Sequence, residues 1–166
     1  MKTRIIVFLM ALLCCHCFSF AQKEFVSQST RLGGHPRILL QKGEEKALKK
    51  VIMKDAIWKD IHQSLLDEAE DIVKLPLNER IKTGKRLLSV SRENLRRIFI
   101  LSYAYRMSGK SEFLKRAENE MLKAASFSDW NPSHFLDVGE MTMALAIGYD
   151  WLYPQLSAQT KTVIEK

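Results

Sequence analysis

Residues 135–153 read FLDVGEMTMALAIGYDWLY, and how this stretch is read decides the fold. Apolar residues fall on every side of it at helical spacing, while Gly139, Ala144, Ala146 and Gly148 keep parts of its surface small. A glycine inside a helix costs about 1 kcal/mol relative to alanine, a cost that close helix packing offsets. Pro154 stops the segment, and its start falls at about Pro132 or Asp137. A helix that is apolar all round belongs in the interior of a domain.

The segment before it has the opposite character. Ser111 to Ala125 is amphipathic, with Leu114, Ala117, Met121 and Leu122 inside, and Glu112, Lys115, Arg116, Glu118 and Lys123 outside, where Glu112 and Arg116 make an i,i+4 pair. Further upstream, Ser91 to Ser108 carries the uncharged run IFILSYAY at 98–105. That run suits a buried strand, but the pattern continues through Met107 to Gly109, and its length favours a helix. The earliest segment repeats apolar residues at Leu48, Ile52, Trp58, Ile61, Leu65, Ala69 and Ile72, with lysines and carboxylates between them, until Pro76. It reads as one helix with a single buried stripe. Beyond Pro154, Ser157 looks like the N-cap of a fifth helix that runs toward Lys166.

One-sided helices thus alternate with helices buried all round, in the order outer, inner, outer, inner, outer. Antiparallel helical hairpins closing into two concentric layers give this order, so the expected fold is all-α and part of an α/α toroid, incomplete at the C-terminus. In a four-helix bundle every helix is one-sided, and no repeat of about 34 to 45 residues marks a solenoid. The expectation includes apolar flanks left open for further helices. Composition agrees with the class: 166 residues, 46% apolar, with 7 Gly and 4 Pro, exclude a disordered or Gly-punctuated β chain.

The N-terminus reads as an address. Lys2 and Arg4 precede the apolar run Ile5 to Leu13, and Ser19-Phe20-Ala21 offers the small residues of a cleavage site before Gln22. The apolar run is shorter than the roughly 20 residues of a membrane span. The expected organisation is a signal peptide at 1–21, an irregular arm at 22–43 containing Gly33, Gly34 and Pro36, and a partial toroid domain at 44–166, with a periplasmic or secreted location. All 3 cysteines, Cys14, Cys15 and Cys17, leave with the signal, which removes disulfide, thiolate-metal and cysteine-nucleophile chemistry from the mature chain. None of them follows the small-residue pair of a lipid-anchoring signal. Cleavage lowers the formal charge from +7 to +5, and basic and acidic residues are mixed along the helices. That mixture argues against nucleic acid as a partner and is compatible with an acidic polysaccharide.

Four blocks carry a family resemblance: HPRIL at 35–39; YAYR at 103–106 with Gly109-Lys110 and Phe113-Leu114; DWNPSHFLDVGEM at 129–141; and AIGYDWLY at 146–153. Together they resemble the N-terminal part of the heparinase II/III-like polysaccharide lyases, from about His35 onward, the last two blocks being the specific ones. This resemblance implies an exported enzyme with an N-terminal α/α toroid and C-terminal β-sandwich domains. Such an enzyme cleaves uronate-containing glycans such as heparin, heparan sulfate or alginate by β-elimination. The family's Asn or His, Tyr and His catalytic residues would lie past Lys166, so no catalytic residue is assigned here. The partners implied are an acidic polysaccharide and the remaining toroid helices and sandwich domains; no cofactor or metal is implied for this part.

Trp130, Asn131, Ser133 and His134, in the loop feeding the inner helix, are the candidate substrate-binding residues: indoles stack on sugar rings, and Asn and His bond hydroxyls and carboxylates. The competing structural reading has Asn131 capping, Pro132 starting the helix and Trp130 packing. His62 reads as solvated, and Asp137, Glu140 and Asp150 read as capping or structural hydrogen-bond partners. His134 and Tyr149, 15 residues apart on one helix, would stand about 22 Å apart and make no proton-transfer pair. Tyr103 or Tyr105 approaching His134 from a neighbouring helix remains open. The alternative function is a small helical glycan- or protein-binding module without catalysis. A third, the unsaturated glucuronyl hydrolases, needs an acid and base carboxylate pair that is not convincingly placed.

Overall fold

The computed structural model describes residues 34–166, and the helical body begins at His35. The expected signal at 1–21 and the arm through residue 33 lie outside the described residues. Among the described residues the structure is all-helical, with one isolated antiparallel bridge between Thr83 and Arg86. The helices are α1 Glu45–Lys54, α2 Ala56–Lys74, α3 Leu88–Ser108, α4 Ser111–Ala125, α5 Phe135–Leu152 and α6 Ala158–Ile164.

The first expected helix is two. Asp55 adopts extended backbone, and its carboxylate accepts hydrogen bonds from the Ile57 and Trp58 amides at 2.8 and 3.2 Å. An aspartate side chain that satisfies the free amides of a new helix competes with continuing the old one. The break also changes which residues are covered. Ile52, Ala69 and Ile72 are buried as the stripe requires, but Trp58 and Ile61 are exposed on the N-terminal half of α2.

α3 confirms the helical reading of residues 98–105 and ends where Gly109 turns left-handed at φ +75°. It packs along α5 and against α2 and α4, and α6 closes against α4 and α5. Ile98, Leu101, Phe113, Ala117, Met121, Met141 and Leu152 make the fully buried core between them. A smaller cluster joins Ile52, Tyr103, Met107, Ile147 and Trp151.

α4 departs from its expected polarity at Arg116, which is buried instead of exposed, and pairs with Glu120 at 2.6 Å, not with Glu112. Its guanidinium also donates to the carbonyls of Val73, Leu75 and Pro76, at the end of α2 and just beyond it. These carbonyls at a helix end have no intrahelical partner, and arginine's fixed fork of donors satisfies several at once.

The small residues of α5 divide by role. A Cβ on Gly148 would lie 2.5 Å from Met121 Sδ and 2.6 Å from Ile98 Cγ2, so this glycine is what lets α3, α4 and α5 meet. A Gly148→Ala variant is therefore expected to lose about 1–3 kcal/mol despite alanine's better helix propensity, read as a lower midpoint in urea unfolding. Gly139 meets nothing within 4 Å and faces solvent. It belongs to a side of α5 that no described element covers, where Phe135, Leu136, Thr142, Met143 and Ala146 are also exposed.

Candidate functional site

The loop before α5 is organised around one buried carboxylate. Asp137 is completely buried, and its oxygens take the Leu87 amide at 2.8 Å, the Asn131 side-chain amide at 2.6 Å and His134 Nδ1 at 2.9 Å. An ionised carboxylate only accepts, so Nδ1 of His134 carries a proton toward Asp137. Burial pushes the Asp137 carboxyl up, but the donors of Asn131, Leu87 and His134 outweigh it and hold the group below the usual aspartate value. Through Leu87, which precedes α3, this residue of α5 also sets where α3 begins.

Asn131 is the hub of the loop. It is buried, holds a left-handed φ of +57°, and gives its amide to Asp137 and to the Lys85 carbonyl at 2.9 Å. Asn tolerates that conformation better than most residues. Ser133 Oγ donates to Asn131 Oδ1 at 3.2 Å, and the Asn131 amide is held by Asp129 Oδ1, itself bridged to Arg80. Trp130 donates from Nε1 to the Ala124 carbonyl at 3.0 Å and packs against the core. The four candidate residues are thus brought together, with Asn131 facing inward and Ser133 and His134 toward the surface. The helix itself starts at Phe135, after Pro132 rather than on it.

Trp130 also walls an apolar groove of about 270 Å³ with Thr142, Leu145, Ala146, Tyr149 and Ile164. The Tyr149 hydroxyl donates to Glu165 at its rim. Burial first, then Glu165 and Tyr153, push this phenol up to about 12, so it holds its proton at neutral pH.

A second buried carboxylate ties the N-terminal arm to α5. Asp150 accepts from His35 Nδ1 at 2.5 Å and from the Arg37 and Ile38 amides at 2.9 and 3.0 Å, and Trp151 Nε1 donates to the Ile38 carbonyl at 2.9 Å. Arg106 donates to the Leu40 and Gln41 carbonyls and to Glu45, with its guanidinium 5.0 Å over the Trp151 ring. A cleft of about 400 Å³ lies here, lined by Lys42, Tyr105, Arg106, Trp151 and Gln155 among others. Sequence reasoning missed it. Its signal is an arginine directly after the uncharged run 98–105, which must find acceptors elsewhere in the fold.

Proton-transfer pairs are few. His62 Nδ1 lies 2.9 Å from the Tyr103 hydroxyl, half-buried rather than solvated. Burial, then Lys49, lower the His62 value, and burial raises that of Tyr103, so both stay neutral near pH 7. Tyr103 thus meets His62, while His134 is held by Asp137. Among the described residues no group of three or more His, Cys, Asp and Glu side chains is placed to hold a metal ion. None of their helices is long and apolar enough to cross a membrane.

No protein-family model matches this chain, and no curated protein matches it significantly.

Proposed function

We propose that this chain is the N-terminal toroid portion of an exported heparinase II/III-like polysaccharide lyase acting on uronate-containing glycans, and that it is inactive by itself. One observation carries the reading: the first and last of the resembling blocks, far apart in sequence, bond directly to one another, and the second holds the residues that follow the first. His35, Arg37 and Ile38 close on Asp150 and Trp151, and Arg106 holds the carbonyls of Leu40 and Gln41. Residues that share such a network determine one another, which is how a set of words becomes the signature of a fold. The uncovered apolar side of α5 supports the toroid, in which this helix is an inner one.

β-Elimination needs a group that neutralises the uronate carboxylate, a base for the C5 proton and an acid for the leaving oxygen. Asp137 and Asp150 are ionised and enclosed by donors, and Tyr149 keeps its proton. The role left to this part is binding: the Trp130 indole as a wall, Ser133 and His134 Nε2 as polar contacts, and Asn131 as the residue that shapes their loop.

The purified chain, incubated with heparan sulfate, alginate and polygalacturonate, is expected to produce no ultraviolet band of an unsaturated uronate, yet to show saturable quenching of tryptophan emission by an oligouronate that is lost in Trp130→Phe, which keeps Trp58 and Trp151. Loss of that quenching in His134→Ala supports the binding role. Robust turnover, or no response to any acidic glycan, contradicts the proposal. A glycan-binding module without catalysis is favoured by the buried core that residues 35–166 make among themselves; a cooperative, monomeric melt would favour it over the lyase part, for which aggregation or a molten spectrum is expected.

A further inference from the structure

The corner between α1 and α2 stands out from the body. Every residue of 53–61 is exposed, and four of them are large and apolar: Met53 at 76%, Ile57 at 71%, Trp58 and Ile61. The break at Asp55 lies within this run, so it belongs to the ends of two helices and not to the middle of one.

Lysines surround the apolar tip. Residues 46–61 hold Lys46, Lys49, Lys50, Lys54 and Lys59 against Asp55 and Asp60, a net charge of +3. Lys46, Lys50 and Lys54 recur every fourth residue, so the side of α1 opposite the buried Ile52 carries an ammonium group about every 6 Å. The lysine ion pairs among the described residues are made by Lys74, Lys110 and Lys123, none of them in this segment. The neighbouring acids are already engaged. Glu44 accepts the Gln41 amide, Glu45 accepts the Gly43 amide and pairs with Arg106, and Asp55 caps α2. Signs that are mixed along the sequence are therefore sorted in the fold.

We infer that this corner docks the protein on a negatively charged phospholipid surface, with Met53, Ile57, Trp58 and Ile61 entering the headgroup boundary and the lysines meeting the lipid phosphates. The combination of groups selects the occupant. A dissolved polyanion pairs with the lysines but gains nothing from four exposed apolar side chains. A protein partner covers the apolar groups, yet lysine is depleted where proteins meet. An anionic lipid surface uses both: apolar side chains sink about 5–10 Å into the boundary, tryptophan favours that depth, and lysines reach the phosphates on their flexible stems. The exposed apolar residues of α5 lack this pairing, since that helix contains no lysine or arginine. The inference stands apart from the glycan reading, which concerns the loop before α5.

The test sediments the chain, purified from an exporting host, with vesicles of phosphatidylcholine alone or mixed with phosphatidylglycerol. Binding is expected to the anionic vesicles only and should be released by high salt. It should bring a blue shift of tryptophan emission that disappears in Trp58→Phe, which keeps Trp130 and Trp151. Lys50→Gln and Lys54→Gln should each weaken binding roughly fivefold. Ile57→Asp should abolish it with helical circular dichroism kept, and Phe135→Asp, on α5, should leave it unchanged. No binding to either vesicle, equal binding to both, a shift that survives in Trp58→Phe, or loss of binding in Phe135→Asp overturns the inference. Binding that Lys50→Gln weakens and Ile57→Asp does not is the pattern of a polyanion site and overturns it as well.

Discussion

Replacing Glu120 with alanine is expected to destabilise the protein by about 3–5 kcal/mol, the largest effect of any single substitution considered. The Glu120 side chain is fully buried and touches two guanidinium groups: Arg97 Nη1 at 2.9 Å and Arg116 Nη2 at 2.6 Å. Its second oxygen accepts the Asn78 amide at 3.2 Å, and Asn78 in turn bonds the Val90 carbonyl and Asn94. Deleting the carboxylate strands the buried Arg116 and the Asn78 amide and takes one of two carboxylates from Arg97, which keeps Glu93 at 2.6 Å, so the cost is that of stranded charge rather than of one lost bond. The same arginines hold the carbonyls of residues 73–76, so the exit from α2 should loosen as well. Urea unfolding measures the loss, with the exposed pair of Lys74 and Asp71 as the comparison whose removal leaves the midpoint unchanged. Arg97→Met combined with Arg116→Met and Glu120→Leu should not restore the stability, because it strands the carbonyls of Val73, Leu75 and Pro76 and the Asn78 amide.

Asp150→Ala should cost about 3 kcal/mol and free the segment before α1. Asp150 is buried, and its oxygens are the only acceptors found for the amides of Arg37 and Ile38 among the described residues. Limited proteolysis should then cut within residues 35–44 well before the helices. Acid gives the sharper form of this prediction. Burial raises the carboxyl pKa, but the Ile38 and Arg37 amides and His35 outweigh it, so the folded value lies below the ordinary 3.8. A group depressed on folding contributes fully above its unfolded pKa and loses that contribution as pH falls through the folded one. Wild-type stability should therefore fall below about pH 4, and Asp150→Asn should flatten part of that slope while leaving the part due to Asp137, which is depressed in the same way. Equal acid slopes in the two proteins would show that Asp150 does not hold the arm as an ion.

Much of this architecture was legible in the pattern of residues. The helical reading of residues 98–105 rested on length, and the left-handed Gly109 ends α3 as its position required. Gly148 and the Ser157 cap also behave as read, the Ser157 hydroxyl accepting from the Thr160 amide at 3.0 Å. The break at Asp55 was legible in principle, since an N-cap residue sat in the middle of a periodic run, but apolar spacing on both sides masked it. Arg116 was not legible. A helical wheel assigns charge to solvent, and only the tertiary position of the α2 exit turns that rule over. The four loop residues were found as a group because they are adjacent in sequence, while the cleft at Arg106 joins segments more than 60 positions apart and leaves no local trace.

The toroid reading depends most on one side of α5 being left uncovered by residues 35–166, as Phe135, Leu136 and Met143 are. Methionine oxidation by dilute peroxide, followed by mass spectrometry, measures this within one molecule. Met143 and Met53 are both open on the surface of a single copy, at 50% and 76% exposed, whereas Met121 and Met141 are fully buried. With that face open, Met143 and Met53 should oxidise at comparable rates while Met121 and Met141 react slowly; Met143 reacting as slowly as Met121 and Met141 would contradict the reading.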